Sequence, residues 1–160
     1  MIKNCYRVFF SVVFFMTVHM NGQEKMMWSQ MPDALLSSGL RKEHLPKSFD
    51  VFQIDLPKLK GDLREKPFNT FFKIQIPDTK GGMAIFEVHE NEVMDAVLRE
   101  KFPENKSYEG HMVSNPKTKI RLSINELGLH AMVVSEEREI QYIDPLAGDR
   151  NKCLSYKRKD

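Results

Sequence analysis

Residues 118–134 read TKIRLSINELGLHAMVV, and this stretch decides the fold. In its first half Ile120, Leu122 and Ile124 alternate with polar residues, which is the period of a strand buried on one face. Its second half, LHAMVV, is another apolar run, and only the short turn ELG separates the two. Because so short a link favours neighbouring antiparallel strands, we expect a hairpin here, which 139–143 extends to a three-stranded meander.

The same patterns predict further strands upstream. The residues PDTKGG at 77–82 stand between two alternating runs and combine proline, aspartate and glycine, which is turn chemistry and favours a hairpin. The runs predicted as strands are 49–56, 71–76, 83–88 and 107–112.

Two short helices are predicted among these strands. Leu56, Leu59 and Leu63 follow one another at spacings of three and four, which places them on one helical face. A second set with that spacing is predicted to begin at Asn91, as its N-cap, and to end before Pro103. The fold class expected is therefore α+β and strand-rich, mainly an antiparallel sheet with hairpins and two short helices.

The chain divides into three regions. Residues 49–160 form the expected α+β domain, and 23–48 are a polar extended arm. Residues 1–22 read as a signal peptide, since Lys3 and Arg7 precede a charge-free apolar run at 8–18. That run would rise only about 16 Å as a helix, so a stable membrane anchor is the weaker alternative. We expect cleavage between Gly22 and Gln23, and a secreted product.

The charge balance argues against a nucleic-acid partner. The formal charge is +2, but Lys3 and Arg7 belong to the first 22 residues. Without them 22 basic residues face 22 acidic ones. A neutral chain with interspersed signs lacks the clustered Lys and Arg on which phosphate binding rests.

Residues for catalysis or metal binding are not arranged in a known pattern. His89 and Glu90 begin the zinc-protease string HExxH, but Val93 stands where its second histidine would be, and His89 reads as a surface residue. His44, His111 and His130 are scattered, and no nucleophile elbow or phosphate-binding loop occurs. We therefore expect no catalytic residue, no metal ligand, no cofactor and no enzymatic activity in this chain.

An ordered series of short motifs carries more information. The series is Ile76-Pro77-Asp78, Phe86-Glu87-Val88, Lys101-Phe102-Pro103, KSYEG at 106–110, GLHAM at 128–132 and YIDP at 142–145. In order and spacing it resembles the propeptide region that precedes the catalytic domain in secreted reprolysin-like zinc metalloproteases of bacteria, notably those of the Bacteroidetes type. Trp28 and the helix near Leu59 fit the same layout.

The resemblance implies a non-catalytic domain that assists folding and latency of a protease. Its partner would be the cognate catalytic domain, in cis if the precursor is longer, or in trans. The zinc-binding helix of the family is missing, so we expect a fragment, a truncated form or a prodomain that works alone. The alternative function is a stand-alone secreted binding or inhibitor module.

Cys153 has two interpretations. After loss of the signal peptide it is the only cysteine, which excludes an internal disulfide. By analogy with cysteine-switch propeptides it is a candidate latency thiol that would bind the protease zinc. The alternative is a small, half-buried apolar residue, which the flanking Lys152, Leu154 and Ser155 favour because they lack the switch pattern.

Overall fold

The computed structural model describes residues 27–32, 45–78, 81–92 and 94–158. Within them nine strands form one curled sheet in which all neighbours are antiparallel, with the order β1-β2-β9-β8-β7-β6-β5-β4-β3. The strands are β1 (Trp28–Met31), β2 (Asp50–Ile54), β3 (Phe72–Pro77), β4 (Met83–Glu90), β5 (Lys106–Met112), β6 (Lys119–Asn125), β7 (Gly128–Val134), β8 (Ile140–Leu146) and β9 (Asp149–Lys157). The helices are α1 (Leu56–Arg64) and α2 (Ala96–Lys101). The predicted fold class is confirmed.

The meander at 118–143 forms as its residue pattern predicts. Ile120, Leu122 and Ile124 are all buried on the inner face of the sheet, and β6 pairs with β7 through the short turn. The next strand, β8, pairs with β7. The hairpin predicted around PDTKGG is also confirmed, as β3 pairs with β4 along the whole length of β3.

Side chains link the two edges of the curled sheet. The indole Nε1 of Trp28 on edge strand β1 donates to the carbonyl oxygen of Gln75 on edge strand β3, 2.8 Å away. From the middle of the sheet, the amide Nε2 of Gln141 donates to the Pro77 carbonyl at the end of β3, also at 2.8 Å. The sheet therefore encloses an interior that holds the main core.

Helix α1 covers one end of this interior. Asp55 caps the helix by accepting a hydrogen bond from the Lys58 backbone N–H. The predicted leucine face is confirmed, since Leu56, Leu59 and Leu63 are all buried in the main core. The turn between β6 and β7 lies at the same end, where Lys60 donates to the Asn125 carbonyl.

A smaller apolar cluster lies on the outer face of the sheet. Val51, Leu146 and Leu154 are buried there, and Leu45 and Phe49 pack against them. The strands beneath are therefore covered on both faces.

Gly110 lets β4 and β5 approach each other closely. A Cβ added at this position would overlap the carbonyl oxygen of Glu87 on β4. The motif KSYEG thus ends in a glycine that strand packing requires, in the middle of a strand rather than in a turn.

The structure differs from the sequence predictions at one helix cap and at two strands. The second helix begins at Ala96 with Asp95 as its N-cap, so the prediction of Asn91 as the cap is wrong. Asn91 still belongs to the sheet, because its N–H donates to the Ser107 carbonyl at 2.8 Å. The strands β1 and β9 were not predicted, and β1 lies inside the region predicted as a polar arm.

Neither helix in the described part of the chain is long and apolar enough to cross a membrane.

Candidate binding surface

Helix α2 exposes its apolar side chains to solvent. The Asp95 carboxylate accepts a hydrogen bond from the Leu98 N–H at 2.9 Å, which fixes the first turn. None of the six helical residues is buried, and Val97 is 75 % exposed. The apolar side chains whose spacing predicted this helix therefore do not face the core of the chain.

One phenylalanine extends this apolar surface. Phe102 directly follows the helix and is exposed, four residues after Leu98. Phe68 and Phe71 are also exposed, but Phe68 lines a depression of about 470 Å³ with Arg99, Pro103 and Glu104, and Phe71 packs against the ring of His89 with 4.6 Å between ring centroids. We call Val97, Leu98 and Phe102 the α2 surface.

An ion pair holds residues 95–105, which we call the α2 segment, to α1. The guanidinium of Arg64, at the end of α1, donates to both carboxylate oxygens of Glu104 at 2.6 Å. Where this segment joins the sheet, Lys106 on β5 donates to Glu90 on β4 at 2.5 Å. Because ion pairs at the surface contribute little to stability, this segment adds little to the fold. The ion pair with Arg64 holds the α2 segment in place, and the apolar side chains of the segment remain exposed.

The outer face of the sheet carries three histidine–carboxylate pairs. His89 and Glu109 are opposite each other on β4 and β5, with 3.9 Å between Nε2 and Oε1, and His111 and Glu87 repeat this arrangement. His89 was expected at the surface, but its side chain is partly buried and its Nδ1 has no hydrogen-bond partner among the described residues. The described residues contain no group of three His, Cys, Asp or Glu side chains arranged to hold a metal.

The third pair belongs to a hydrogen-bonded network. The Asp144 carboxylate lies 2.9 Å from Nδ1 of His130 and accepts a hydrogen bond from the Tyr156 hydroxyl at 2.7 Å. Burial first, and then the hydrogen bond and charge of Asp144, raise the pKa of Tyr156 to about 12. Tyr142 stacks on Tyr156 with 5.6 Å between ring centroids.

The sequence patterns did not predict this network, because it depends on strand register. His130 and Asp144 occupy the outward positions of β7 and β8, so the alternation and a correct pairing would have brought them together. Ser123 lies opposite His130 on β6, but the described residues show no hydrogen bond between the two side chains.

Cys153 lies in the main core with 0 % exposure. Burial, followed by the negative charges of Asp144 and Asp149, raises the pKa of its thiol to about 12. The thiolate that a zinc ion requires is thus disfavoured, and the sulfur does not reach the surface. The geometry favours the interpretation of Cys153 as a core residue, and the residue is fully buried rather than half-buried as expected.

Gly22 and Gln23, the predicted cleavage residues, lie outside the described residues.

Comparison with protein families, curated proteins and solved structures finds no match for this chain. The functional interpretation therefore rests on the residues and surfaces described above.

Proposed function

We propose that this chain is the non-catalytic propeptide-like domain of a secreted zinc metalloprotease precursor, exported by the signal peptide at 1–22. In this proposal the α2 surface binds the catalytic domain of that precursor, assists its folding and keeps it latent. The chain itself acts by contact and has no turnover of its own.

The positions of the motif residues support a structural role for them. KSYEG lies in β5, GLHAM in β7 and YIDP in β8. Tyr108, Leu129, Ala131 and Ile143, which belong to these motifs, are buried in the main core. The ordered series that resembles the propeptide family thus specifies the sheet, as expected of a domain that presents a surface.

The exposure of the α2 surface is the observation that carries the proposal. An isolated domain gains nothing from a helix whose apolar residues face water, because exposed apolar area is unfavourable at roughly 25 cal/mol per Å². Contiguous apolar side chains at a surface mark sites of protein contact. A domain that binds only the folded protease stabilises it by mass action, which accounts for assistance to folding.

The genomic sequence beyond codon 160 provides the first test. The proposal requires an in-frame catalytic domain with HExxH. A stop codon followed by an unrelated gene would support the alternative, a stand-alone secreted binding or inhibitor module. The apolar α2 surface would serve that alternative equally well, so the reading frame is needed to separate the two.

Binding to the encoded catalytic domain provides the second test. We expect the double variant V97S/L98S to bind about tenfold more weakly or worse in isothermal titration, because both side chains are exposed in this chain and would be buried in the complex. Leu127→Ser is the control, since Leu127 is an exposed apolar residue in a turn outside the α2 surface, and its exposure lies between those of Leu98 and Val97. Equal affinities for the two variants would refute the assignment of the surface.

A further inference from the structure

The depression beside the α2 segment contains a buried hydroxyl without a hydrogen-bond partner. Tyr108 lies on the inner face of β5 opposite Leu122, is 4 % exposed and belongs to the main core. It lines the depression of about 470 Å³ together with the core residues Leu63 and Ile124. A buried tyrosine hydroxyl usually has a partner, but within the described residues the Tyr108 hydroxyl forms no hydrogen bond.

This hydroxyl opens into the depression. In the described part of the chain, the only fully enclosed polar side-chain atom without a partner is Nδ1 of His89. The unpartnered oxygen of Tyr108 is therefore accessible, and its inward side chain faces the depression. Burial, and then the negative charge of Glu90, raise the pKa of Tyr108 to about 12, so the hydroxyl keeps its proton at neutral pH. It can donate that proton to an acceptor on a ligand.

The charged side chains around the depression have an excess of positive charge. Five cationic side chains and three carboxylates line it. The carboxylates all have cationic partners, in the pairs Arg64–Glu104, Arg99–Glu92 and Lys106–Glu90. Lys60 and Lys66 form no ion pair with the described residues, although Lys60 donates to the neutral carbonyl of Asn125. An anion that enters the depression would be attracted by these two ammonium groups.

Apolar side chains form the rest of the lining. They are Leu63, Phe68, Pro103 and Ile124, and the Phe68 side chain is 57 % exposed. A bare inorganic anion would leave these side chains in contact with water, whereas an apolar group attached to the anion would cover them. The lining therefore fits an anion carried on an apolar stem, and the Phe68 ring can stack against an aromatic one.

We propose that this depression binds a carboxylate carried on an apolar stem. The carboxylate accepts the hydrogen bond of the Tyr108 hydroxyl and is attracted by Lys60 and Lys66, while the stem packs against the apolar lining. A free carboxylic acid and the carboxyl terminus of a peptide that ends in an apolar residue share this chemistry. The inference does not rest on the proposed function, because it uses no residue of the α2 surface.

Binding is tested by nuclear magnetic resonance on chain labelled at the leucine and isoleucine methyl groups. Phenylacetate, phenylethanol and phenylethylamine share a benzyl stem and differ in the head group. We expect phenylacetate to shift the Leu63 and Ile124 signals with a Kd of about 1 mM, phenylethanol to bind about tenfold more weakly, and phenylethylamine weakest of all. Phenylethylamine binding as tightly as phenylacetate, or no binding of phenylacetate below about 50 mM, would overturn the proposal. Inorganic phosphate binding as tightly as phenylacetate would contradict the need for an apolar stem.

One variant tests the hydroxyl. Tyr108→Phe removes the hydroxyl and keeps the buried ring, so it should weaken phenylacetate binding by about fivefold. Tyr142→Phe is the matched control, since it removes a tyrosine hydroxyl from the outward face of β8, and it should leave the affinity unchanged. Equal phenylacetate affinities of the two variants would exclude the Tyr108 hydroxyl from the site.

A second variant tests the positive charge. Lys66 is exposed in the segment that follows α1, so Lys66→Gln should fold normally. We expect it to weaken phenylacetate binding by about threefold and to leave phenylethanol unchanged. Lys119→Gln removes an exposed cation from the outward face of β6, and as the matched control it should change neither affinity. Equal effects of Lys66→Gln on phenylacetate and phenylethanol would refute the role of the positive lining.

The source of the carboxylate is decided by two peptides, acetyl-Gly-Phe with a free carboxyl terminus and the corresponding amide. If the free peptide binds at least as well as phenylacetate, the occupant is the carboxyl terminus of a peptide. If it binds more weakly than phenylacetate, the occupant is a free carboxylic acid. The amide binding as tightly as the free peptide would contradict the requirement for a carboxylate.

Discussion

Replacing Trp28 by phenylalanine should weaken the contact between the two edge strands of the curled sheet, β1 and β3. Trp28 is 2 % exposed, and its indole donates to the Gln75 carbonyl while the ring contacts Phe52 edge to face at 6.4 Å. Phenylalanine keeps an aromatic ring but has no N–H. The lost hydrogen bond removes about 1 kcal/mol and the lost ring atoms about another 1 kcal/mol, so we expect a decrease of about 2 kcal/mol in the free energy of unfolding.

The assay is urea unfolding followed by far-ultraviolet circular dichroism, because Trp28 is the only tryptophan and the variant has lost its fluorescence. A decrease of about 2 kcal/mol corresponds to a fall of about 6 °C in Tm for a domain of this size. Native-state hydrogen exchange should show the largest increase in β3, since that edge loses its link to β1.

Ser29→Ala is the matched control for this experiment. Ser29 lies next to Trp28 on β1 and is exposed, so its replacement should change stability by less than about 0.5 kcal/mol. If Trp28→Phe were no less stable than Ser29→Ala, or if exchange in β3 were unchanged, the indole would not hold the two edges together.

Three other outcomes are expected. Because burial raises the pKa of Cys153, Tyr108 and Tyr156 to about 12, these groups stay protonated in the folded chain at a pH where the unfolded chain releases their protons. Their contribution to stability is complete below about pH 9 and is lost as the pH rises towards 12, so urea titrations should show falling stability over this range, and a flat profile would contradict the burial argument. Asp144→Asn removes the charge and the anionic acceptor beside Tyr156, so the pKa of that phenol should fall part of the way to its ordinary value. Spectrophotometric titration of tyrosinate checks this, and an unchanged curve would exclude Asp144 as a cause. In a full-length precursor Cys153→Ala should leave latency unchanged, because the sulfur is in the core. If this variant folds but shows proteolytic activity before the propeptide is removed, Cys153 contributes to latency after all.

The alternation of residues predicted β6, which is covered on one face, and did not predict β9, which is covered on both. In β6 the inner face is buried and the outer face is polar, so the alternation is visible. In β9 the consecutive residues Cys153, Leu154 and Ser155 are all buried, because the strand lies between β2 and β8 with the main core on one side and the outer cluster on the other. Burial on both faces removes the period on which the prediction depends.

The N-cap and the apolar face of the second helix show another limit of sequence patterns. Asn91 and Asp95 are each good caps, and the choice between them is made by the sheet, since pairing with Ser107 keeps Asn91 extended. The spacing of Val97 and Leu98 is the same for a helix that faces its own core and for one that faces a partner. Only the structure distinguishes the two cases, because it shows that α2 buries no residue.

An open cleft of about 780 Å³ at the end of the sheet opposite α1 had no signal in the sequence, because its residues come from segments that are distant along the chain. Asp78, Val113, Glu137 and Lys157 belong to three turns and the end of the last strand, which the antiparallel order brings to one end of the sheet. Each of them alone reads as an ordinary surface residue. Their common position follows from the sheet order, which was not predictable for the two missed strands.

The open cleft and the depression beside the α2 surface lie at opposite ends of one strand. β4 begins at Met83, which lines the cleft, and ends at Glu90, which lines the depression. Eight residues of extended strand span roughly 25 Å. If the α2 surface binds a partner as proposed, that contact leaves the open end of the sheet accessible.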